Sequence, residues 1–337
     1  MADAATRTGE LRISVVVPVR DEEASIRALL DALLAQTRPA AEIVVTDGGS
    51  RDRTPDVIEE YARGGAPVRL IRAGAALPGR GRNLAAEDAA SDWLAFIDAG
   101  TRPNADWIEQ LAARVENDPA VDVVFGAWEP RVESFFEECA AIAYAYEPPV
   151  ERGGVTISPP CVGSSLVRRE VWRAVGGFAE DLRSGEDILF MGKIDAGKFR
   201  VAYAPRAVVR WDAPPTLRLT FKRFALYSRH NLRAGLWREW HATVLGRYAL
   251  LVAALIPAFA LGLKWVAFVA LLWLSMIAAR AAVASYRKRG VLKGGRARVA
   301  LRLAALVPLI ATIDAATVLG ALHWLLADKL RLSGAAK

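Results

Sequence analysis

An apolar run, Trp93-Leu-Ala-Phe-Ile97, stops abruptly on Asp98 and is followed by Ala99, Gly100 and Thr101. It reads as a buried strand that carries one carboxylate to a sheet edge, where open α/β folds bind ligands. Two further acids, Glu186 and Asp187, come after Gly185 and before apolar Ile188-Leu-Phe190. An acid placed at such a helix start either caps the helix or serves as a proton acceptor. Asp47 closes another apolar run and leads into Gly48-Gly-Ser50-Arg-Asp52-Arg-Thr54. Its carboxylate can accept a hydrogen bond from a nucleobase or a ribose. In Pro18-Val-Arg-Asp-Glu-Glu23 the acids, taken alone, serve equally well to cap a helix and complement its dipole. Together these residues suggest an enzyme that handles a phosphorylated donor.

The elements that must position these groups alternate. Ile13–Val19 is β-branched and reads as a buried strand. Ile26, Leu29, Leu30, Leu33 and Leu34 then mark one apolar helix face. Strands at Glu42–Asp47, Val68–Arg72, Trp93–Asp98 and Val121–Trp128, with a helix over 54–63, continue the series. This alternation predicts a doubly wound parallel sheet with right-handed crossovers, its polar chemistry at the carboxyl ends of the strands. Residues 129–160, with Glu147-Pro-Pro and Ser158-Pro-Pro, break the rhythm and read as loop and short helix lining the site. A strand and a helix start resume at Gly163–Trp172.

The formal charge of +7 over 337 residues hides an asymmetry. Residues 1–215 hold 25 Lys/Arg against 34 Asp/Glu, whereas residues 216–337 hold 19 against 3. The basic part is also the more apolar, which favours an anionic lipid surface over nucleic acid. Residues 216–243 interleave Leu217, Phe221, Phe224 and Trp240 with Arg218, Lys222, Arg223 and Arg238, as in interfacial amphipathic helices. Two apolar stretches, 244–263 and 265–284, each have the length of a bilayer span, with Arg247 and Arg280 near their ends, where they can snorkel. The linker 285–302 carries seven basic residues and no acid, which places it in the cytoplasm and makes 244–284 a hairpin. A third stretch, 303–327, has Asp314 at its middle and either spans, with that acid inside a bundle, or lies re-entrant. The first ten residues show no signal-peptide core, and Cys139 and Cys161 show no metal or disulfide spacing, so the acidic part is expected in the cytosol.

In order and spacing, Val15-Val-Val-Pro-Val-Arg-Asp-Glu-Glu23, Thr46–Thr54, Gly79-Arg-Gly-Arg-Asn83, Phe96-Ile-Asp-Ala-Gly-Thr101, Gly176-Gly-Phe178 and Gly185-Glu-Asp187 resemble family 2 glycosyltransferases. The resemblance covers roughly residues 11–212. It implies a GT-A fold, a nucleotide-sugar donor and inverting transfer. Pro18, Glu22 and Asp47 would line the nucleoside pocket, with Asp47 on the base. Arg80, Arg82 and Asn83 would lie near the ribose and diphosphate, where guanidinium groups grip phosphate oxygens; a solvated basic loop is the plainer alternative for the two arginines. Asp98 matches the first acid of the family's Asp-X-Asp motif, which holds Mg²⁺ or Mn²⁺ across the diphosphate, and Gly100 replaces the second. Asp187 would be the general base, with Glu186 supporting it or orienting the acceptor. Arg210 stands where many members place a metal-binding His. It would neutralise the leaving diphosphate or stack on Trp211.

The expected organisation is therefore a tail at 1–10, a GT-A catalytic domain at 11–215, interfacial helices at 216–243, a hairpin at 244–284, a basic cytoplasmic loop at 285–302 and a third membrane helix at 303–327. The expected activity is transfer from a nucleotide sugar to a lipid-linked acceptor at the cytoplasmic membrane face. The rival is a silent nucleotide-sugar-binding membrane scaffold, to which the missing second acid points. Arg210-Trp211 echoes the Gln-X-X-Arg-Trp motif of processive members, but Ala207 replaces the Gln, which favours single transfer.

Overall fold

The computed structural model describes residues 11–145, 150–152, 155–157, 160–289 and 295–330. The expected tail at 1–10, the Glu147-Pro-Pro motif, part of Ser158-Pro-Pro and Lys293 of the basic loop lie outside these. In chain order the elements are β1 (Ile13–Val19), α1 (Glu23–Leu34), β2 (Glu42–Asp47), α2 (Thr54–Arg63), β3 (Val68–Arg72), α3 (Pro78–Asp88), β4 (Trp93–Ile97), β5 (Thr101–Pro103) and α4 (Trp107–Asn117). There follow β6 (Val123–Arg131), α5 (Phe135–Ala140), β7 (Val150–Arg152), β8 (Val155–Ile157), β9 (Ser164–Arg168), α6 (Arg169–Ala174), α7 (Glu186–Ala196) and β10 (Val201–Asp212). The rest is helical: α8 (Leu217–Arg233), α9 (Trp237–Trp240), α10 (Ala242–Ala253), α11 (Ala258–Leu261), α12 (Leu263–Arg287) and α13 (Arg296–His323). The chain divides into two compact units, one holding most of residues up to 211 and the other holding 130–148, 182–185 and 212 onward.

The first unit is built on an eight-stranded sheet in the order β3-β2-β1-β4-β9-β6-β10-β5. β1 pairs in parallel with β2 and β4, and β2 with β3. Val15, Val16 and Val17 are buried on both faces of β1, as a central parallel strand requires. Side chains alternate across it: Val15 and Val17 join Ile26, Leu29 and Leu30 of α1 in one core layer, whereas Val16 joins Ala85 of α3 and Phe190 of α7 in the other. β9 runs antiparallel to both β4 and β6, and β5 antiparallel to β10. The sheet is thus parallel over β3-β2-β1-β4 and mixed beyond. Alternation of apolar runs could not show this, because a buried strand reads the same in either direction. This is a GT-A-type layered fold, followed by long apolar helices.

In the second unit three helical segments, 242–261, 263–287 and 296–329, are long and apolar enough among the described residues to cross a membrane. The first is broken: α10 ends at Ala253, and α11 starts only after Pro257, whose ring and missing N–H interrupt the ladder. α13 starts at Arg296, inside the expected loop, and continues as a π-helical turn through Lys329. Asp314 is buried and held by a bidentate ion pair from Arg280 and by the Tyr248 hydroxyl at 3.1 Å. The snorkelling expected of Arg280 is therefore corrected. A buried acid attracts the cation of the neighbouring helix more strongly than distant solvent can.

Within residues 129–160 the expected short helix is present as α5, and two short strands, β7 and β8, stand where loop was expected. Within the second unit α5 and the π-helical turn Ala141–Ala145 pack on the apolar helices, with Cys139 and Ile142 against Ile277, Leu306 and Leu309. Glu138 accepts ion pairs from Arg298 and Arg302, and Lys288 Nζ donates to the carbonyls of Ala141 and Ile142 at 2.9 and 2.8 Å. α8 packs its polar side inward: Ser228 Oγ donates to the Thr317 carbonyl of α13 at 2.7 Å and lies 2.8 Å from His241 Nε2. Its other side exposes Leu219 and Leu226 beside Arg218 and Lys222, the mixed surface of an interfacial helix.

Candidate active site

Crossovers proceed outward from β1 to β2 and β3, then return to place β4 on the other side of β1. The carboxyl ends of β1 and β4 therefore flank a topological switch point, where ligands of open α/β sheets bind. Pro18 is the penultimate residue of β1, paired with Thr46, and Asp47 ends β2 opposite Val19. Asp98 is the first residue after β4. Three of the acids and turns singled out in the sequence thus reach one edge because their strands share a direction.

Asp47 is buried and held by its own loop, accepting from the backbone N–H of Gly49 at 3.3 Å and of Ser50 at 3.1 Å. This fixes the carboxylate at the strand end. Glu22 is tied by its N–H to Thr54 Oγ1 at 2.8 Å, and its carboxylate accepts from Ser25 Oγ. The same carboxylate lies beside Gly100, whose φ is +76°; a Cβ there would sit 3.3 Å from Glu22 Oε2. A left-handed backbone and an occupied neighbourhood explain why glycine, not a second acid, stands at this position.

The centre of the site is Arg82. It projects from α3, which starts at Pro78 and presses Gly79 so close to Ala179 that a Cβ would lie 2.0 Å from its carbonyl oxygen. Its side chain is 5% exposed and bridges two acids: Nη2 donates to Asp98 Oδ1 at 2.5 Å and Nη1 to Glu186 Oε1 at 2.7 Å. Burial works against its charge, but Asp98 and Glu186 outweigh it and hold the guanidinium firmly protonated. The plainer expectation of a solvated loop is therefore replaced, for Arg82, by a buried clamp. Arg80, two residues earlier, is exposed.

Glu186 and Asp187 occupy the first turn of α7. An aromatic cluster sets that helix: Phe178 stacks on Phe190 at 4.0 Å, meets Phe96 edge-on at 5.2 Å and lies 5.3 Å under the Arg82 guanidinium. Asn83 grips Phe178 at both backbone groups, accepting from its N–H at 2.9 Å and donating to its carbonyl at 3.0 Å. It also accepts from Trp172 Nε1 and donates to Glu180. Asn83, expected near the donor ribose, is thus engaged with the protein. Phe178 and Phe190 position the site; Gly176-Gly-Phe178 and the apolar run Ile188-Leu-Phe190 marked them in the sequence, but not their stacking.

Burial, then the charge of Glu186, push the Asp187 carboxyl up to about 6, against the lowering pull of Arg82. Cys161 is pushed up to about 12 by burial and by the charges of Asp98 and Asp187, which leaves its thiol inert. Glu186 Oε2 and Arg82 Nε are buried with no hydrogen-bond partner among the described residues, a rare state that points to a ligand. Arg210, on β10, is engaged elsewhere: Nη1 donates to Asn104 Oδ1 at 2.6 Å, and Nε lies 3.7 Å from Glu129. The Trp211 ring meets Trp128 at 5.8 Å. His230 accepts from the Arg183 N–H at 3.2 Å, and Ser164 donates to the Ala207 carbonyl, so both have packing roles.

Among the described residues no three His, Cys, Asp or Glu side chains converge on an ion site. Asp98 nevertheless suits a hard cation. Its side chain is 43% exposed, and Mg²⁺-type ions are commonly held by one or two carboxylates with substrate phosphates and water rather than by a protein cage. The donor chemistry fits an ion that arrives with a diphosphate.

A family model described as glycosyl transferase family 2 matches residues 14–173. The pre-mycofactocin glycosyltransferase of Mycobacterium tuberculosis is 27% identical over 230 residues, 64% of this chain and 46% of that protein. The chain thus spans about half the length of that relative. The succinoglycan biosynthesis protein ExoA of Rhizobium meliloti is 30% identical over 227 residues, 61% of this chain and 66% of that one. Among solved structures, the mannosyltransferase PcManGT from Pyrobaculum calidifontis, in complex with GDP-Man and Mn²⁺, aligns with a TM-score of 0.54. It is 23% identical and covers 95% of this chain and 89% of its own, a likeness of fold.

Proposed function

Because residues 14–173 belong to glycosyl transferase family 2, we propose that this protein moves a sugar, with inversion, from a nucleotide-sugar donor to a lipid-linked acceptor at the cytoplasmic face of a membrane. The observation that carries the reading is the Arg82 bridge. One buried guanidinium holds Asp98, at the donor edge of the sheet, and Glu186, next to the elevated Asp187.

In this reading Pro18, Glu22 and Asp47 line the nucleoside pocket, with the loop-held Asp47 carboxylate accepting from the base. Arg80, exposed at the start of α3, takes the diphosphate oxygens. Asp98 would hold Mg²⁺ or Mn²⁺, which when bound neutralises charge on the leaving diphosphate. Asp187 accepts the acceptor hydroxyl's proton as that oxygen attacks the anomeric carbon. The bond to the diphosphate breaks on the opposite face, and its electron pair leaves with the nucleoside diphosphate. Glu186 offers Oε2 to orient the acceptor. A carboxyl titrating near 6 suits a general base at neutral pH. Arg210, half-exposed on β10, is the further guanidinium that would neutralise the leaving diphosphate. The lipid acceptor is supported by the three apolar helices and by exposed Leu219, Leu226, Trp237 and Trp240 among basic residues.

The test is turnover by the full-length protein in detergent against a panel of nucleotide sugars with native lipid extract, with Mn²⁺ or EDTA, beside Asp187→Asn. Transfer to lipid that is lost in the variant supports the reading. Donor binding without turnover under every condition would favour the silent scaffold, the reading that Gly100 motivates.

A further inference from the structure

We infer that a cavity among the apolar helices binds the phosphate headgroup of a lipid. The cavity measures about 490 Å³, within the range of small-molecule sites, and lies wholly inside the second unit. Tyr144, Arg247, Arg280 and Arg287 line it together with apolar groups such as Met276 and Ile310. No Asp or Glu is among its lining residues within the described part of the chain. Arg280 is neutralised by Asp314, so its charge is already matched. Arg247 makes no such ion pair: its side chain is half-buried, and its Nε is buried with no hydrogen-bond partner among the described residues. A buried donor without an acceptor is costly, and an anionic ligand oxygen would supply the partner it lacks.

The ligand's second property follows from the walls. Arg280 and Arg287 are seven residues apart and share one face of α12, while Arg247 comes from the early turns of α10. The three guanidinium-bearing positions thus meet where one helix begins and the other ends, the level at which a membrane hairpin meets lipid headgroups. The same two helices carry exposed apolar side chains, including Leu250, Val252 and Leu272. A ligand with a phosphate for the guanidinium forks and hydrocarbon for those side chains is a phosphorylated lipid. The inference rests on these helices lying in a bilayer, and it does not require that the bound lipid be the sugar acceptor.

Binding is measured on the full-length protein in neutral detergent with a fluorescent long-chain phosphatidic acid. Diacylglycerol of the same chain length and inorganic phosphate serve as competitors. Phosphatidic acid is expected to bind at least about tenfold more tightly than diacylglycerol, and Arg247→Gln to lose about tenfold of that affinity. Lys264→Gln, a cation at the opposite end of α12, is expected to leave it unchanged. Melting curves show whether Arg247→Gln is folded; if it is not, Arg287→Gln at the exposed helix end takes its place. Equal affinity for the two lipids, equal loss in Lys264→Gln, or displacement by inorganic phosphate at comparable concentration overturns the inference. Carbonate extraction of native membranes tests the bilayer premise separately. Sugar transfer, assayed in parallel, can fail while phosphatidic acid binding persists, which separates this site from the proposed activity.

Discussion

At Asp187, burial and the neighbouring Glu186 outweigh Arg82 and leave a carboxyl that titrates near 6. A general base must be deprotonated, so kcat/KM is expected to rise about tenfold per pH unit up to about pH 6 and then level off. The same shift affects stability with opposite sign. A folded-state value above the ordinary 3.8 means that the folded protein binds this proton more tightly. Its contribution is fully present below the unfolded value and is lost as pH rises through about 6. Asp187→Asn is therefore expected to lower kcat about 10²–10⁴-fold yet melt at a higher temperature than the native protein at pH 7. A melt at pH 7 that moves down would contradict this. Gly100→Asp tests whether the missing acid can be restored. Its positive φ and the adjacent Glu22 carboxylate predict about 1–2 kcal/mol of destabilisation and no gain in Mn²⁺ affinity by calorimetric titration with nucleotide. At this scale Asp98 and the Glu186-Asp187 pair were legible as chemistry-bearing acids, because each ends or begins a strongly patterned element. Arg82 was not legible as a clamp, and Asn83 was not legible as a grip on Phe178. Their partners are 16 to 104 residues away.

Among the elements, β1, β2 and β3 fall where apolar β-branched runs lie, and the buried face of α1 is the one its spacing marks. The direction of β9 was hidden, as was α3, whose opening Pro-Gly-Arg-Gly reads as loop. It is helical because its glycines permit close packing on Ala179 and Pro18, a tertiary override of weak propensity. α5 is the short helix expected within residues 129–160, but its packing was not foreseen. Its capping box at Ser134 and Glu137 is a local signal, but its seat on α13 depends on Glu138 meeting Arg298 and Arg302. Glu138→Ala removes the acid that both guanidiniums share and is expected to destabilise the second unit by about 3–5 kcal/mol, read as a lowered melting midpoint in detergent. Glu137→Ala, which removes only the capping partner at an exposed position, is expected to cost about 1 kcal/mol by the same measurement.

For the whole molecule, the charge division between an acidic first part and a basic, apolar last part is written in composition, whereas the compact units also place 130–148 and 182–185 with the helices. The balance within the helical unit is tertiary. Asp314→Ala or Arg280→Ala alone is expected to cost about 3–5 kcal/mol, because each leaves a charge without its partner in an apolar bundle. The double variant is expected to recover much of that loss in a thermal melt, a non-additivity that independent sites would not show. By itself the sequence determined the strands β1 to β4, the helices α1 and α2, the acids at the strand ends and the apolar length of the C-terminal helices. These follow from local periodicity and from residue types that act within a few positions of themselves. Only the tertiary structure decided that Arg82 joins Asp98 to Glu186, that Glu22 fills the space beside Gly100, and that Arg280 answers Asp314. Each depends on burial and on the meeting of distant segments, and charge without solvent is governed by the neighbours the fold supplies.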